Sequence, residues 1–326
     1  MRTTRVIIGL SVAAALFVAG CGTTEEAGGG NEAAAASGDP VTLTDSRGKE
    51  VKLDAPAKRV AATEWNSAEY LVSLGVMPVA VSDIKGYNTW ASAAPLDDTP
   101  KDIGTRGEPS IDTLGSLNLD LVVVTDTLTE GALEQIEAKI PVIVIKGGDA
   151  KDSIGSMFSN LDLVAKATGT EDKAKQLRSD FDAKIAEGKA AVDEAGATGD
   201  KVAFADAWVD AGTVSIRPFA KGALVADVFA QIGLENAWSM AGDPVYGLAQ
   251  ADVEGLTQLG DVHFWYMAND SETDAFAENL ANNAIWKNLP FVKSDKVKRL
   301  PDSLWMFGGP QSMAQFVDAA VDALKA

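Results

Sequence analysis

The chain holds one cysteine and one histidine among 326 residues. That scarcity excludes a disulfide framework and a zinc site built from Cys/His clusters. Positive charge is also short: 28 Lys and Arg stand against 47 Asp and Glu, a net charge of −19. Phosphate binding needs basic counter-charge, so a nucleic-acid partner is excluded. No apolar run reaches the roughly 20 residues that a spanning helix requires. Neither a Gly-x-Ser-x-Gly elbow nor a P-loop occurs. The lone imidazole, His263, sits inside the apolar run 262–267, where a core or edge-strand residue is expected rather than a general base. Aromatics are only 7% of the chain, so their placement carries information.

What is present begins with an address. Arg2 and Arg5 precede an uncharged, small and apolar stretch over 6–20. A basic start, a short apolar run and small residues before a cut site describe a secretory signal. Cys21 closes the run as Val18-Ala19-Gly20-Cys21. This junction resembles the lipobox of bacterial lipoproteins. The resemblance implies cleavage before Cys21, a lipid on its thiol, and anchorage to the outer face of the cell membrane. Loss of 1–20 removes two cations and no anion, which takes −19 to −21. Residues 22–39 are small and lack an apolar period, so 21–39 is expected to be a lipidated cysteine and a flexible tether.

The body alternates strand and helix. Residues 41–45 and 50–53 flank a Ser-Arg-Gly-Lys turn and predict a hairpin. Apolar runs at 59–62, 78–81, 121–125 and 141–145 predict buried strands of a parallel sheet. Helices are expected at 68–74, with Asn66 or Ser67 as cap and Gly75 as stop, and at 111–117 and 133–139. Residues 152–168 put Ile154, Phe158, Leu161 and Ala165 on one helical face. A charged helix follows over 171–195, and the alternation restarts after Gly199. This order means α/β.

The restart repeats the first half. A strand leads to Trp65 in one half and to Trp208 in the other. Leu74-Gly75-Val76 and Ile232-Gly233-Leu234 each end a helix, and Glu108 and Glu254 each precede a short helix and a strand. Two lobes on one plan are expected, at 40–150 and 170–326. Ligands of open parallel sheets bind outside the carboxyl ends of the strands, so facing lobes would share one cleft.

Trp65, Tyr87, Trp90, Tyr246, Trp305 and Phe307 sit among Gly, Pro, Asn or polar neighbours. They suit either the wall of a cleft, where rings give broad contact at little entropy cost, or packing between lobes. Trp238 and Trp265 are assigned to the core. Gly104-Thr-Arg106-Gly-Glu108-Pro is the densest local signal, two glycines around an arginine. The glycines admit close backbone approach, and Arg106 offers a planar fork of donors to ligand oxygens, or else forms a surface pair with Glu108. Arg217 stands in a comparable place in the second half.

Taken with the lipobox, RVAATEWNSAEYLVSLGVMPVAVSD (59–83), GTRGEPSIDTL (104–114), SIRPFAKGALVADVFAQIGLENAW (215–238) and SLWMFGGP (303–310) resemble iron–siderophore-binding lipoproteins of ABC importers. The resemblance covers nearly all of the chain from Pro40. It implies a bilobal α/β fold, each lobe a mostly parallel sheet flanked by helices, joined by one long bridging helix over 151–169. It implies that Arg106 holds hydroxamate oxygens, that Tyr246, Trp305 and Phe307 line the site, and that Glu108 and Glu254 dock onto a permease. Trp65, Tyr87, Trp90 and Arg217 complete the expected ligand site. The ligand would be an iron(III)–siderophore complex that brings its own oxygen donors, so no cofactor and no protein metal ligand are expected. The protein would be a monomer and not an enzyme. Cobalamin or haem carriage on the same fold remains open, as does an extracytoplasmic siderophore hydrolase using His263.

Overall fold

The computed structural model describes residues 38–325. The signal segment 1–20, Cys21 and the tether up to residue 37 lie outside the described residues.

The first lobe opens with the hairpin β1 (Val41–Thr44) and β2 (Glu50–Leu53), then β3 (Val60–Ala62) and α1 (Trp65–Ser73). It continues with β4 (Ala80–Val81), α2 (Ile84–Trp90), β5 (Lys101–Asp102), and the small ribbon β6 (Gly104–Thr105) and β7 (Glu108–Pro109). Then come α3 (Ile111–Gly115), β8 (Leu121–Thr125), α4 (Glu130–Glu137) and β9 (Val142–Ile145). The strands β5-β4-β3-β8-β9 form one parallel sheet. β8 and β9 are buried at every position, as continuous apolar runs covered on both faces must be.

α5 (Ser153–Thr168) leads out of this lobe. Asp152 caps it by accepting from the Gly155 amide, and Gly169 ends it at φ 69°. Asn160 on α5 exchanges hydrogen bonds with the Lys146 backbone of the first lobe. Ser153, also on α5, donates to Asp227 of the second at 2.6 Å. The helix therefore touches both halves.

The second lobe comprises α6 (Glu171–Glu194), β10 (Lys201–Asp210), β11 (Thr213–Pro218), α7 (Leu224–Gln231) and β12 (Glu235–Asn236). β13 (His263–Met267), α8 (Ala284–Asn288), α9 (Pro290–Lys293), β14 (Val297–Arg299) and α10 (Pro310–Lys325) complete it. β12, β10, β13 and β14 run parallel, and β11 folds back antiparallel on the outer half of β10. The fold is α/β with two lobes, each built on a mostly parallel sheet.

The lobes share their helix ends. Gly75 after α1 and Gly233 after α7 take φ of 82° and 99°. Gly75 N–H bonds Val72 and Val76 N–H bonds Leu71; Gly233 N–H bonds Ala230 and Leu234 N–H bonds Phe229. Both are Schellman ends, for which a left-handed glycine is the least strained residue. One hydrophobic core runs through both lobes, from Trp65 and Leu71 past Phe158 to Phe204 and Phe316. Two further clusters back the outer sheet faces. Trp265 and Trp238 lie in these cores.

Local expectations change at two points. α1 begins at Trp65, with Glu64 at the cap position, instead of after Asn66 or Ser67. Ala68 N–H already reaches Glu64 C=O, so only Thr63 and Glu64 separate the helix from β3. Tyr87 and Trp90, set among Gly86, Asn88 and polar residues without an apolar period, lie on a helix, because Asp83 accepts from the Gly86 amide at 3.0 Å and starts α2.

Candidate functional site

A cavity of about 500 Å³ opens at the carboxyl ends of the strands of both lobes. Glu64, Trp65 and Asn66 enter it directly after β3, Thr125 at the end of β8, and Met267 at the end of β13. Asp206 and Trp208 enter from the outer half of β10.

Arg106 sits in the two-residue turn of the β6–β7 ribbon, where Gly107 takes φ 81° and Gly104 takes φ 95°. These two glycines permit the bends that deliver the guanidinium to the cleft. It lies 3.9 Å from the Trp65 ring centroid and 5.6 Å from that of Trp305. Such stacking occupies the face of a guanidinium and leaves its edge donors available. Its ion partner is Glu64, at 3.3 Å, and not the neighbouring Glu108. Burial pushes the Glu64 carboxyl above the ordinary glutamate range, and Arg106 pulls against that.

Arg217 is held differently. The β10–β11 register sets it directly across from Asp206. Its Nε donates to Asp206 Oδ1 at 2.8 Å and its Nη2 to Oδ2, a fork-to-fork pair. Burial pushes the Asp206 carboxyl up; the bonds from Arg217 oppose this without cancelling it.

A continuous aromatic wall joins the two. Trp65 meets Trp305 edge-on at 4.7 Å, Trp305 meets Phe307 at 5.2 Å, and Phe307 meets Tyr246 at 5.4 Å. Phe307 also lies 5.4 Å from the Arg217 guanidinium. Tyr246 reaches the wall because Asp243 organises its loop. Oδ1 of Asp243 accepts from the amides of Val245 and Tyr246, and Oδ2 from that of Leu248. Across the cleft, a Cβ at Gly147 would fall 2.5 Å from the Tyr246 hydroxyl, so only glycine lets that ring approach.

The expected residues Arg106, Trp65, Trp90, Arg217, Tyr246, Trp305 and Phe307 all line this one cavity. Tyr87 does not. It is fully buried, and its hydroxyl donates to Ala94 C=O at 2.5 Å, because α2 turns that face into the first lobe. Nothing in the local sequence singles out Glu64 and Asp206, the carboxylates that partner the arginines. Trp208, the one exposed large hydrophobic residue among those described, joins the site without having been among the expected residues. The parallel between Trp65 and Trp208 in the two halves is the available signal, although Trp208 lies within β10 and not beyond its end. Glu108 and Glu254 are exposed and stand outside the cavity. His263 also lies away from it, 3.3 Å from Asp200. Among the described residues, no group of three or more His, Cys, Asp or Glu is placed to hold a metal ion, and no helix is long and apolar enough to cross a membrane.

The iron(3+)-hydroxamate-binding protein FhuD of Escherichia coli (strain K12) is 24% identical over 267 residues, covering 82% of this chain and 86% of its own. The Fe(3+)-citrate-binding protein YfmC of Bacillus subtilis (strain 168) is 23% identical over 304 residues, covering 92% and 90%. Among solved structures, the Fe3+–Desferal-bound siderophore-binding protein FhuD from Vibrio cholerae aligns with a TM-score of 0.73 at 22% identity, over 82% of this chain and 98% of its own. The triscatecholate siderophore-binding protein FeuA from Bacillus subtilis aligns at 0.69 and 20%, over 87% and 98%. These structural likenesses speak to the fold. A family profile described as "Periplasmic binding protein" matches residues 60–304, and the chain belongs to that family.

Proposed function

We propose that this protein captures a ferric siderophore of the hydroxamate type in the cleft between its lobes and presents it to an ABC permease. The carrying observation is one cavity in which a stacked arginine and a wall of four aromatic rings meet. A ferric siderophore already saturates its iron with oxygen, so recognition falls on the organic shell. Rings suit the hydrocarbon, and the Arg106 fork suits the ligand oxygens. The volume lies within the range of small-molecule pockets, roughly 300–1,000 Å³.

Charge favours the hydroxamate class over the others. Glu64, Asp206 and Glu272 face the cavity against Arg106 and Arg217. The lining therefore carries no surplus of cations for a trianionic catecholate or citrate complex. A neutral or cationic ferric hydroxamate meets no such deficit. Cys21 would carry the lipid anchor, and the exposed Glu108 and Glu254 would dock one lobe each onto the permease. No bond is made or broken in this role.

Tryptophan fluorescence tests the reading, because Trp65, Trp208 and Trp305 all line the cavity. Ferrioxamine B should quench it at micromolar concentration or below, and ferric citrate and a ferric tricatecholate should not. A flat response to all three, with haem and cobalamin as competitors in the same titration, would overturn the proposal.

A further inference from the structure

Glu69 is a fully buried carboxylate with no part in the cavity. It projects from α1 one turn after Trp65, and residues spaced by four share a helix face. Its Oε1 accepts from the Ser312 amide at 3.1 Å and its Oε2 from the Ser312 hydroxyl at 2.7 Å. The Gly309 amide also bonds the carboxylate. These donors form the start of α10, which belongs to the other lobe and packs on α6 and α7.

A helix start needs an acceptor for its free amides, normally supplied by the side chain just before it. α10 lacks one of its own: Gly309 has no side chain, and Pro310 begins the helix. Gly308 and Gly309 leave room instead. A Cβ at Gly308 would fall 2.2 Å from Glu69 Oε2, and one at Gly309 would fall 3.3 Å from Oε1. The sequence Gly308-Gly309-Pro310 thus makes a receptor for a carboxylate from 243 residues away. Ser73 and Gln311 join the same two helices at 2.5 Å. Burial pushes the Glu69 carboxyl above the ordinary glutamate range, against the pull of the Ser312 and Gly309 donors.

We infer that Glu69 is the N-terminal cap of α10, supplied in trans by the opposite lobe, and a positioning residue for the Trp305–Phe307 wall. One face of α1 presents Trp65 to Trp305 at 4.7 Å and Glu69 to the helix that begins five residues after Trp305. The cap and the ring contact are therefore one joint. The carboxylate head of Glu69 fills a nest of amides at the positive end of a helix dipole. Removing the side chain should leave a vacancy that accepts a small carboxylate from solution.

The test uses the full chain with Glu69→Ala and Glu69→Gln. The structural arm is independent of the proposed ligand; the binding arm rests on that reading. Both variants should melt lower by roughly 3–6 °C, the scale of a lost cap in a chain of this size. Sodium formate should raise the melting point of Glu69→Ala by several degrees over sodium chloride of equal ionic strength. It should leave the wild type and Glu69→Gln unmoved. Affinity for ferrioxamine B should fall about tenfold in Glu69→Ala and return with formate, a coupling that mere destabilisation does not produce. Should Glu69→Ala not fold, Ser312→Ala removes one donor and should weaken binding a few-fold. A Glu69→Ala protein indifferent to formate, or a Ser312→Ala protein of wild-type affinity, would overturn the inference. Failure of the wild type to bind ferrioxamine B would sink the proposed function alone, and the melting arm would still decide this one.

Discussion

Each lobe brings one guanidinium to the cleft, and the two are held in opposite ways. In the first lobe, Arg106 lies against ring faces and touches one carboxylate oxygen at 3.3 Å. In the second, Arg217 commits the two donors of its Nε/Nη2 edge to Asp206, whose side chain keeps only 13% of its exposure. A guanidinium that spends its Nε/Nη2 edge on a carboxylate has less to offer a ligand than one held chiefly by its face. The difference assigns recognition to the first lobe and local stability to the second, although both arginines share the wall at Trp305 and Phe307.

Truncating Arg106 should have the largest effect on binding. A charged hydrogen-bond donor at the centre of an aromatic site is worth about 2–3 kcal/mol, so Arg106→Ala should weaken ferrioxamine B roughly 30- to 100-fold in a fluorescence titration. Its denaturant midpoint should barely move, because Glu64 loses one long contact and is already pushed toward protonation by burial. Arg217→Ala should invert that pattern. It leaves Asp206 as an unpaired buried charge, a loss of about 3 kcal/mol at neutral pH, and it should reduce affinity less than tenfold. Asp206→Ala with Arg217→Ala should recover most of the stability. Equal losses of affinity in the two single variants would break the asymmetry. Acid sharpens the test: burial raises the folded value of Asp206, so its ionisation cost appears as pH rises from the unfolded carboxylate range through that raised value. The Arg217→Ala deficit should therefore shrink at pH 5 relative to pH 8.

The same contrast marks what was legible in the sequence. The strands at 121–125 and 142–145 were, because a parallel sheet covered on both faces demands unbroken apolar runs. Arg106 was, because Gly104 and Gly107 announce a backbone that only glycine adopts without strain. Its partner was not. Glu64 lies 42 residues away, whereas Glu108 stands beside it in the chain, and local spacing favours the nearer acid. Tyr87 misled for a related reason. Its neighbours Gly86 and Asn88 suggest a loop, but the cap at Asp83 commits them to a helix whose inner face is core. Gly308-Gly309-Pro310 carries no local sign of its partner, and only the fold brings Glu69 to it. Nearest-neighbour chemistry was readable; the long-range partners of charged groups were not.

The smallest effect should come from the carboxylate that sets Tyr246. Asp243 differs from Asp206 within the same lobe, since its partners are backbone amides rather than an arginine. Burial pushes its carboxyl up, but the amides of Tyr246, Leu248 and Val245 outweigh that and hold it below the ordinary aspartate value. A depressed folded value gives stability that is complete above the unfolded range near pH 4 and lost as pH falls through the folded value. Asp243→Ala should therefore cost about 1 kcal/mol at pH 7 and less at pH 3, and it should weaken ferrioxamine B only two- to threefold as the Tyr246 ring loosens. Acid thus relieves the Arg217→Ala defect by neutralising a stranded charge, and it erases the Asp243→Ala defect by removing in the wild type what the variant already lacks. Urea midpoints of both variants and the wild type, taken from pH 8 to pH 3, separate the two causes. A difference between the wild type and Asp243→Ala that does not shrink at the acid end would show that the amides around Asp243 hold its carboxylate no better than water does.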